Sequence, residues 1–350
     1  MMTSQPDAPH PFSLSRLAQW MRENIAGFDD RSAALTLTRF AGGQSNPTFL
    51  LQAGAGKYVM RRKPAGQLLP SAHAVDREFR VMSALAGSDV PVARTYALCR
   101  DDAVIGGMFY IMDCVDGRIF WDPTLPGASN AERGALYDEM NRVIAALHSV
   151  DAGAVGLADY GKPNNYFERQ ITRWSTQYRA AESTGIAAID NLIDWLPQHI
   201  PAGNDSAIVH GDFRLDNLIF HPNEARILAV IDWELSTLGH PMADFAYHCL
   251  AWHMPVGNMR GLLGVDTAAL GIPGQADYLA RYCQRTGRAP VSGAEWTYYL
   301  AFNMFRLAAI AQGIAARARQ GNAASAQANE MGQMATPVAQ AAWQLIQNNK

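Results

Sequence analysis

The sequence predicts an α+β protein with two lobes. A small antiparallel-sheet N-terminal lobe with one main helix is expected over residues 1–115, and a larger, mostly helical C-terminal lobe over residues 116–350. Three observations predict it. Residues 35–62 read strand, glycine loop, strand, turn, strand. From Asp116-Gly117 onward the apolar spacing becomes helical. One strand-like interlude, 218–220 and 227–231, interrupts those helices directly after the most distinctive motif of the chain.

The elements follow in order. Leu14, Leu17, Trp20, Met21 and Ile25 recur at helical spacing behind Ser13, a residue type that caps helix N-termini, so a helix is expected over 13–25. Residues 35–40 alternate as strands do, and 41–46 (AGGQSN) form a turn-rich break. Residues 48–52 and 57–62 resume strand character across Gly54-Ala55-Gly56. A helix is expected over 74–86, strands near 95–98 and 108–112, and a hinge at 112–117. Helices are then expected over 130–149, 164–181, 189–199, 241–252, 275–285, 293–319 and 323–347. The last of these includes an Ala/Gln-rich stretch that suits a surface helix.

Composition excludes several classes. With 29 basic and 32 acidic residues the net charge is −3, which leaves no general footprint for nucleic acid or an anionic membrane. A hydrophobic share of 49% with 17% charged residues is globular, not disordered. Cys99, Cys114, Cys249 and Cys283 lack C-x-x-C spacing, so reduced thiols are expected in place of a disulfide framework or zinc site. Residues 1–11 have neither a basic n-region nor an apolar h-region, and the expected compartment is the cytoplasm. The most membrane-like stretch, 298–316, contains Asn303, Arg306 and Gln312 and reads as a buried helix.

The chemistry centres on His210-Gly211-Asp212-Phe213-Arg214-Leu215-Asp216-Asn217, between two apolar strand-like runs. A carboxylate and a carboxamide five residues apart on a tight loop can converge on one site. Fifteen residues beyond Asn217 a second apolar strand delivers Asp232, which places Asn217 and Asp232 at adjacent ends of a short hairpin. Their oxygens suit Mg²⁺, a hard cation that keeps waters and substrate phosphates in its shell. Asp212, outside that metal shell, could accept a proton from a substrate hydroxyl. Metal, positioned base and phosphate clamp are the parts that phosphoryl transfer needs.

These residues resemble a known family. D-x-x-x-x-N followed by an apolar strand and Asp is similar to the protein-kinase-like fold, and H-G-D-x-x-x-x-N…I-D-W-E resembles the aminoglycoside phosphotransferase and choline kinase superfamily. RRKPAG at 61–66, REFRVMSAL at 77–85, HGDFRLDNLIF at 210–220, IDWELSTLGHPMADFAY at 231–247 and FRLAAIAQGI at 305–314 are similar to one subgroup. That subgroup is the phosphotransferase domain that some proteins fuse ahead of an acyl-CoA dehydrogenase. The resemblance implies ATP and Mg²⁺ as cofactors and a small-molecule hydroxylated acceptor, a hydroxyacyl-CoA or hydroxy acid. It implies Asp212 as catalytic base and Asn217 and Asp232 as metal ligands. It implies 41–46 (Gly42, Gly43, Gln44, Ser45 and Asn46 among them) as the phosphate loop. It also implies Glu78 as partner of the phosphate-clamping cation, and 112–115, with Asp113 and Val115, as the adenine-binding hinge. The clamp position carries Arg61 where the kinase pattern has Lys, and strand alternation leaves Lys63 as a second candidate.

Other residues admit two readings. Asp and Asn also serve turns and caps. His210 suits a loop-holding role, Asp244 a supporting one, and Asp216 either faces solvent or bonds the loop. Arg214 could reach substrate or phosphate, and Glu234 could back a metal ligand or lie at the surface. Tyr166, Arg169, Arg173 and Trp174 share a helical face that suits either an anionic substrate lip or core packing with solvated arginines. Arg306 needs a partner within an apolar helix, an internal salt bridge before a substrate. Two other functions stay open: a nucleotide-binding pseudokinase, and an Fe(II) oxygenase using His210, Asp212 and a later histidine (His240, His248 or His253).

Overall fold

Strands and helices appear in the order the spacing predicts. The structure, a computed structural model, describes residues 12–40, 46–64, 74–181, 185–257, 259–319 and 331–349. Helix α1 (Leu14–Asn24) opens on Ser13, whose Oγ accepts the Arg16 N–H, and is followed by β1 (Thr36–Arg39), β2 (Thr48–Ala53) and β3 (Gly56–Arg62). Then come α2 (Val75–Leu85), β4 (Thr95–Cys99), a one-turn α3 (Asp102–Ile105) and β5 (Phe109–Asp113). Helices α4 (Asn130–Ser149), α5 (Tyr166–Ala181) and α6 (Ala187–Trp195) precede β6 (Ala207–Val209), β7 (Leu218–Phe220), β8 (Ile227–Val230) and β9 (Thr237–Gly239). Helices α7 (Pro241–His248), α8 (Gln275–Thr286), α9 (Gly293–Arg319) and α10 (Ala335–Asn348) complete the chain.

Two spans are shorter than the spacing suggests. Where 189–199 was expected, α6 gives way after Trp195 to a 3₁₀ turn at Leu196–Gln198 that carries Pro197, whose ring cannot continue an α-helix. Likewise 241–252 is α-helical only to His248 and tightens into a 3₁₀ turn at Cys249–His253. Strand β9 has no counterpart among the expected elements, because three residues are too few for alternation to register. Of the expected helix over 323–347, residues 323–330 lie outside the described residues.

The chain divides into two compact units: residues 1–119 with 155–157 and 216–236, and residues 120–154 with 158–215 and 237–350. In the first, five antiparallel strands run in the order β1-β2-β3-β5-β4. Pairing of Phe49 with Met60 and of Met60 with Ile111 puts these side chains on one face, where Leu17 and Met21 of α1 cover them and Trp20 packs edge-on against Phe109. The next positions along each strand, Arg61 and Tyr110, pair with each other and face the other way, toward α2. The hairpin β7–β8 belongs to this unit. Arg118 and Phe220 exchange backbone hydrogen bonds of 2.7 and 2.8 Å, and Val230 N–H donates to the Pro91 carbonyl. Gly117 is required there, since a Cβ would sit 2.3 Å from the Phe220 carbonyl oxygen.

In the second unit β6 pairs with β9, and α9 packs against α5, α7 and α10. Gly239 lets β9 close on its neighbours: a Cβ there would lie 2.7 Å from the Tyr166 ring and 2.9 Å from Val209. Among the described residues α9 is long and apolar enough to cross a membrane, but 61% of that stretch is buried inside the protein, as the core helix expected at 298–316 should be. The four cysteines are free thiols.

Candidate active site

Within the first unit, β3 and α2 bring a cation and a carboxylate together below the surface. Arg61 and Glu78 are 9% and 1% exposed, and Arg61 Nε lies 2.9 Å from Glu78 Oε2. Tyr110 donates to the same oxygen at 3.2 Å, and Asn46 Nδ2 donates to Glu78 Oε1 at 2.8 Å. Arg61 Nη2 donates to Asp232 at 2.6 Å and reaches Glu234 at 3.5 Å. One guanidinium thus faces three carboxylates. Burial opposes the Arg61 charge, but Glu78, Tyr110 and Asp232 more than offset it and drive its pKa up. Burial pushes the Glu78 carboxyl from its ordinary 4.5 up to about 7, against the pull of Arg61 and with Asp232 and Glu234 adding to the rise.

That shift has a sign. The folded state holds the Glu78 proton more tightly than the unfolded chain. Its contribution to stability is therefore complete below about 4.5 and is lost as pH rises through about 7. Glu78→Gln cannot lose a proton, so between pH 4.5 and 7 its thermal midpoint should gain on that of the wild type. A pH-independent difference between the two melting curves refutes this.

The mouth of the β7–β8 hairpin holds the expected metal pair. Leu218 pairs with Val230, and the Asn217 carbonyl accepts the Ile231 N–H at 2.9 Å, so Asn217 and Asp232 leave the hairpin side by side. Asn217 ends a 3₁₀ turn at Leu215–Asn217 and is buried. Asp232 adopts φ 67° and ψ 57°, a left-handed conformation that a non-glycine residue holds only at a cost. The donor set fits Mg²⁺: hard amide and carboxylate oxygens, with Glu234 beside them and a cation already seated on Asp232. Among the described residues no group of three or more His, Cys, Asp or Glu is placed to hold a metal. Mg²⁺ needs no such group, because one or two protein oxygens suffice when phosphates fill the rest.

Within the second unit lies the loop from His210 to Leu215. Asp244, in the first turn of α7, accepts the backbone N–H groups of His210 and Gly211 at 2.7 and 2.8 Å and bonds His148 Nε2 at 3.2 Å. Gly211, at φ +81°, makes the turn. His210 is fully buried and its Nδ1 accepts the Asp212 N–H, a loop-holding position. Arg306 donates to the Gly211 carbonyl at 2.7 Å. Asp212 Oδ1 accepts the Tyr247 hydroxyl at 2.5 Å and lies 3.5 Å from Arg214 Nε.

The remaining candidates fall as follows. Gly42, Gly43, Gln44 and Ser45 lie outside the described residues. Asn46 is fully buried, with its side chain on Glu78. Lys63 lies just past β3, where its N–H donates to the Met108 carbonyl. Asp113 bonds the Tyr96 hydroxyl, and its backbone N–H donates to the Arg94 carbonyl; Val115 follows beyond β5. Tyr166 packs on Phe302, Arg169 donates to the Lys162 carbonyl, and Arg173 lies over the Trp174 ring. Asp216 is buried rather than solvent-facing. Among the described residues Arg306 meets no carboxylate; its guanidinium finds a carbonyl and lies 5.0 and 5.9 Å from the Tyr247 and Trp174 ring centres. The later histidines have partners of their own: His240 stacks on Tyr299, His248 bonds Tyr278, and His253 bonds Gln275. Burial holds His240 and His248 near 4, too low to be imidazolium at neutral pH.

Sequence reasoning missed Tyr110 and Tyr247. A residue paired with Arg61 across the sheet is invisible before the register is known. Tyr247 had a signal, its position three residues after Asp244 on one helical face.

Comparisons with known proteins bear on the family and the fold. A family model described as the phosphotransferase enzyme family matches residues 36–296. A crystal structure from Ralstonia eutropha, of a protein provisionally assigned as an aminoglycoside phosphotransferase, is 55% identical, with a TM-score of 0.89 over 96% of this chain and 99% of its own. A spectinomycin phosphotransferase solved with ADP and spectinomycin has a TM-score of 0.63 over 97% of this chain and 100% of its own. At 13% identity that likeness is one of fold. Acyl-CoA dehydrogenase family member 10 of Mus musculus is 47% identical over 88% of this chain and 29% of its own length. Family member 11 of Homo sapiens is 40% identical over 96% of this chain and 43% of its own. The chain thus spans less than half the length of these relatives. They bear out the narrow resemblance of the sequence to the domain fused to acyl-CoA dehydrogenases, and the fold is the expected α+β, kinase-like one.

Proposed function

Because the chain belongs to the phosphotransferase enzyme family, we propose that it moves the γ-phosphate of ATP to a hydroxyl of a small molecule, a hydroxyacyl-CoA or hydroxy acid. The observation that carries this reading is the Arg61 cluster. A buried cation on β3, clasped by Glu78 and reaching an aspartate at a hairpin mouth shared with an asparagine, is the equipment of a nucleotide-triphosphate site. Arg61 neutralises phosphate charge, with Glu78, Tyr110 and Asn46 fixing its place. Asn217 and Asp232 would hold Mg²⁺, which would supply positive charge against the negative charge that develops on the transferred phosphate. Asp212 orients the acceptor hydroxyl and takes its proton. Asp212 and Asn217 stand five positions apart in the chain.

The acceptor class draws support from two sides. Two relatives over most of this chain, at 47% and 40% identity, are named as acyl-CoA dehydrogenase family members. Arg214 lies 3.5 Å from Asp212 in the second unit, a cation that suits an anionic acceptor better than a polycationic aminoglycoside. The test is ADP release from Mg-ATP with hydroxyacyl-CoA, hydroxy-acid, amino-alcohol, sugar and aminoglycoside acceptors. Turnover is expected with the first two. A preference for aminoglycosides or amino alcohols overturns the acceptor class, and nucleotide binding without turnover on any acceptor makes the chain a pseudokinase.

A further inference from the structure

The loop that carries Asp212 is held from one side by α7 and α9. Asp244 and Tyr247 are three residues apart on α7 and so project from the same face. Asp244 takes the two backbone N–H groups at the turn, His210 and Gly211. Arg306 of α9 takes the one carbonyl between them and the carboxylate, that of Gly211. Tyr247 takes the carboxylate itself, at 2.5 Å from Oδ1. The Tyr247 ring is in turn fixed, with the Arg306 guanidinium 5.0 Å from its centre. Backbone and side chain of Asp212 are therefore held by different groups. Asp244 and Arg306 set where the loop lies, and Tyr247, at a shorter distance than the 3.5 Å of Arg214 Nε from the same oxygen, sets where the carboxylate points.

We propose that Tyr247 is a positioning residue for phosphoryl transfer: its hydroxyl, steadied by Arg306, holds Asp212 Oδ1 and so fixes the direction in which the carboxylate meets the acceptor hydroxyl. This rests on the reading of Asp212 as the base. A phenol donor suits the task. Burial, and then the neighbouring Asp212 charge, push the Tyr247 hydroxyl well above its ordinary pKa, so it stays protonated and donates throughout the working range. A hydrogen bond to an ionised acceptor is also stronger and shorter than one between neutral groups. Without it the carboxylate is held less tightly and spends more time in orientations in which no oxygen faces the acceptor, which lowers the reactive fraction without changing nucleotide affinity.

The test compares wild type, Tyr247→Phe, Asp212→Asn and the double variant in Mg-ATP turnover, with 3-hydroxybutyryl-CoA as acceptor and with water as the background acceptor. Tyr247→Phe removes the hydroxyl and keeps the ring over which Arg306 lies. It is expected to lower kcat by about 10- to 100-fold, to leave the KM for ATP within about twofold, and to melt within a few degrees of wild type. In the Asp212→Asn background the same change should have no further effect, since the group it positions is gone. Equal kcat in wild type and Tyr247→Phe, or losses that multiply in the double variant, overturn the positioning role while leaving Asp212 as base. Loss of KM and melting temperature together with kcat overturns it too, because that marks a packing role. Full turnover in Asp212→Asn removes Asp212 as the base and this inference with it, while no turnover in wild type overturns phosphotransfer to a hydroxyacyl-CoA.

Discussion

Asp212→Asn is expected to lower turnover by roughly 10²–10⁴-fold, the share that a positioned general base contributes. The carboxamide keeps the size and shape of the side chain and can still accept the Tyr247 hydroxyl, so the loop held by Asp244 and Arg306 should stay in place. What it cannot do is take a proton. Nucleotide binding should persist, because Arg61, Glu78, Asn217 and Asp232 are untouched. The measurement is kcat beside the affinity for Mg-ATP. Unchanged kcat removes Asp212 as the base, and a collapse of affinity would show that it serves the nucleotide instead.

Asp232→Ala should remove Mg²⁺-dependent nucleotide binding. Asp232 is the one carboxylate of the hairpin pair, and Asn217 alone offers a neutral oxygen to a divalent ion. A ligand present at a hundred times its dissociation constant stabilises the folded state by about 2.7 kcal/mol. Wild type should therefore melt several degrees higher with Mg-ATP than without it, and the variant should not. The Arg61–Glu78 pair survives the change, so the variant should fold. A normal Mg-ATP shift in Asp232→Ala refutes the ligand role. The same shift with ATP and chelator in wild type would argue that Arg61 alone carries the binding.

Much of the architecture was legible because it is written at the periods the chain must obey. Alternation over 48–62 and the i, i+3, i+4 spacing of α1, α2 and α4 reflect which faces must be buried, and the observed elements fall within a few residues of them. The candidate site was legible for a related reason. Asp212, Asn217 and Asp232 are close in sequence, and a hairpin is a local structure whose ends meet whatever surrounds it. Arg61 and Glu78 could be named as a pair from the resemblance, but Tyr110 could not, because its role follows from a cross-strand register between β3 and β5. The partners of Tyr247 and Arg306 were unreadable for a like reason, although the spacing of Tyr247 after Asp244 and the apolar setting of Arg306 were signals: each finds its partner across a long span of sequence.

By itself, then, the chain's sequence determined the kind of chemistry: an oxygen-rich hairpin mouth, an acidic loop before it and a strand-borne cation, all from residue types at short spacing. Tertiary structure decided which atoms serve them. It turned Arg306 onto a carbonyl and two rings where a salt bridge was expected, sent Asn46 onto Glu78, and grouped residues 216–236 with the first unit. The physical reason is that periodicity and turn chemistry act over a few residues. A buried polar group is satisfied by whatever donor or acceptor packing happens to bring within about 3 Å, and that depends on the whole fold.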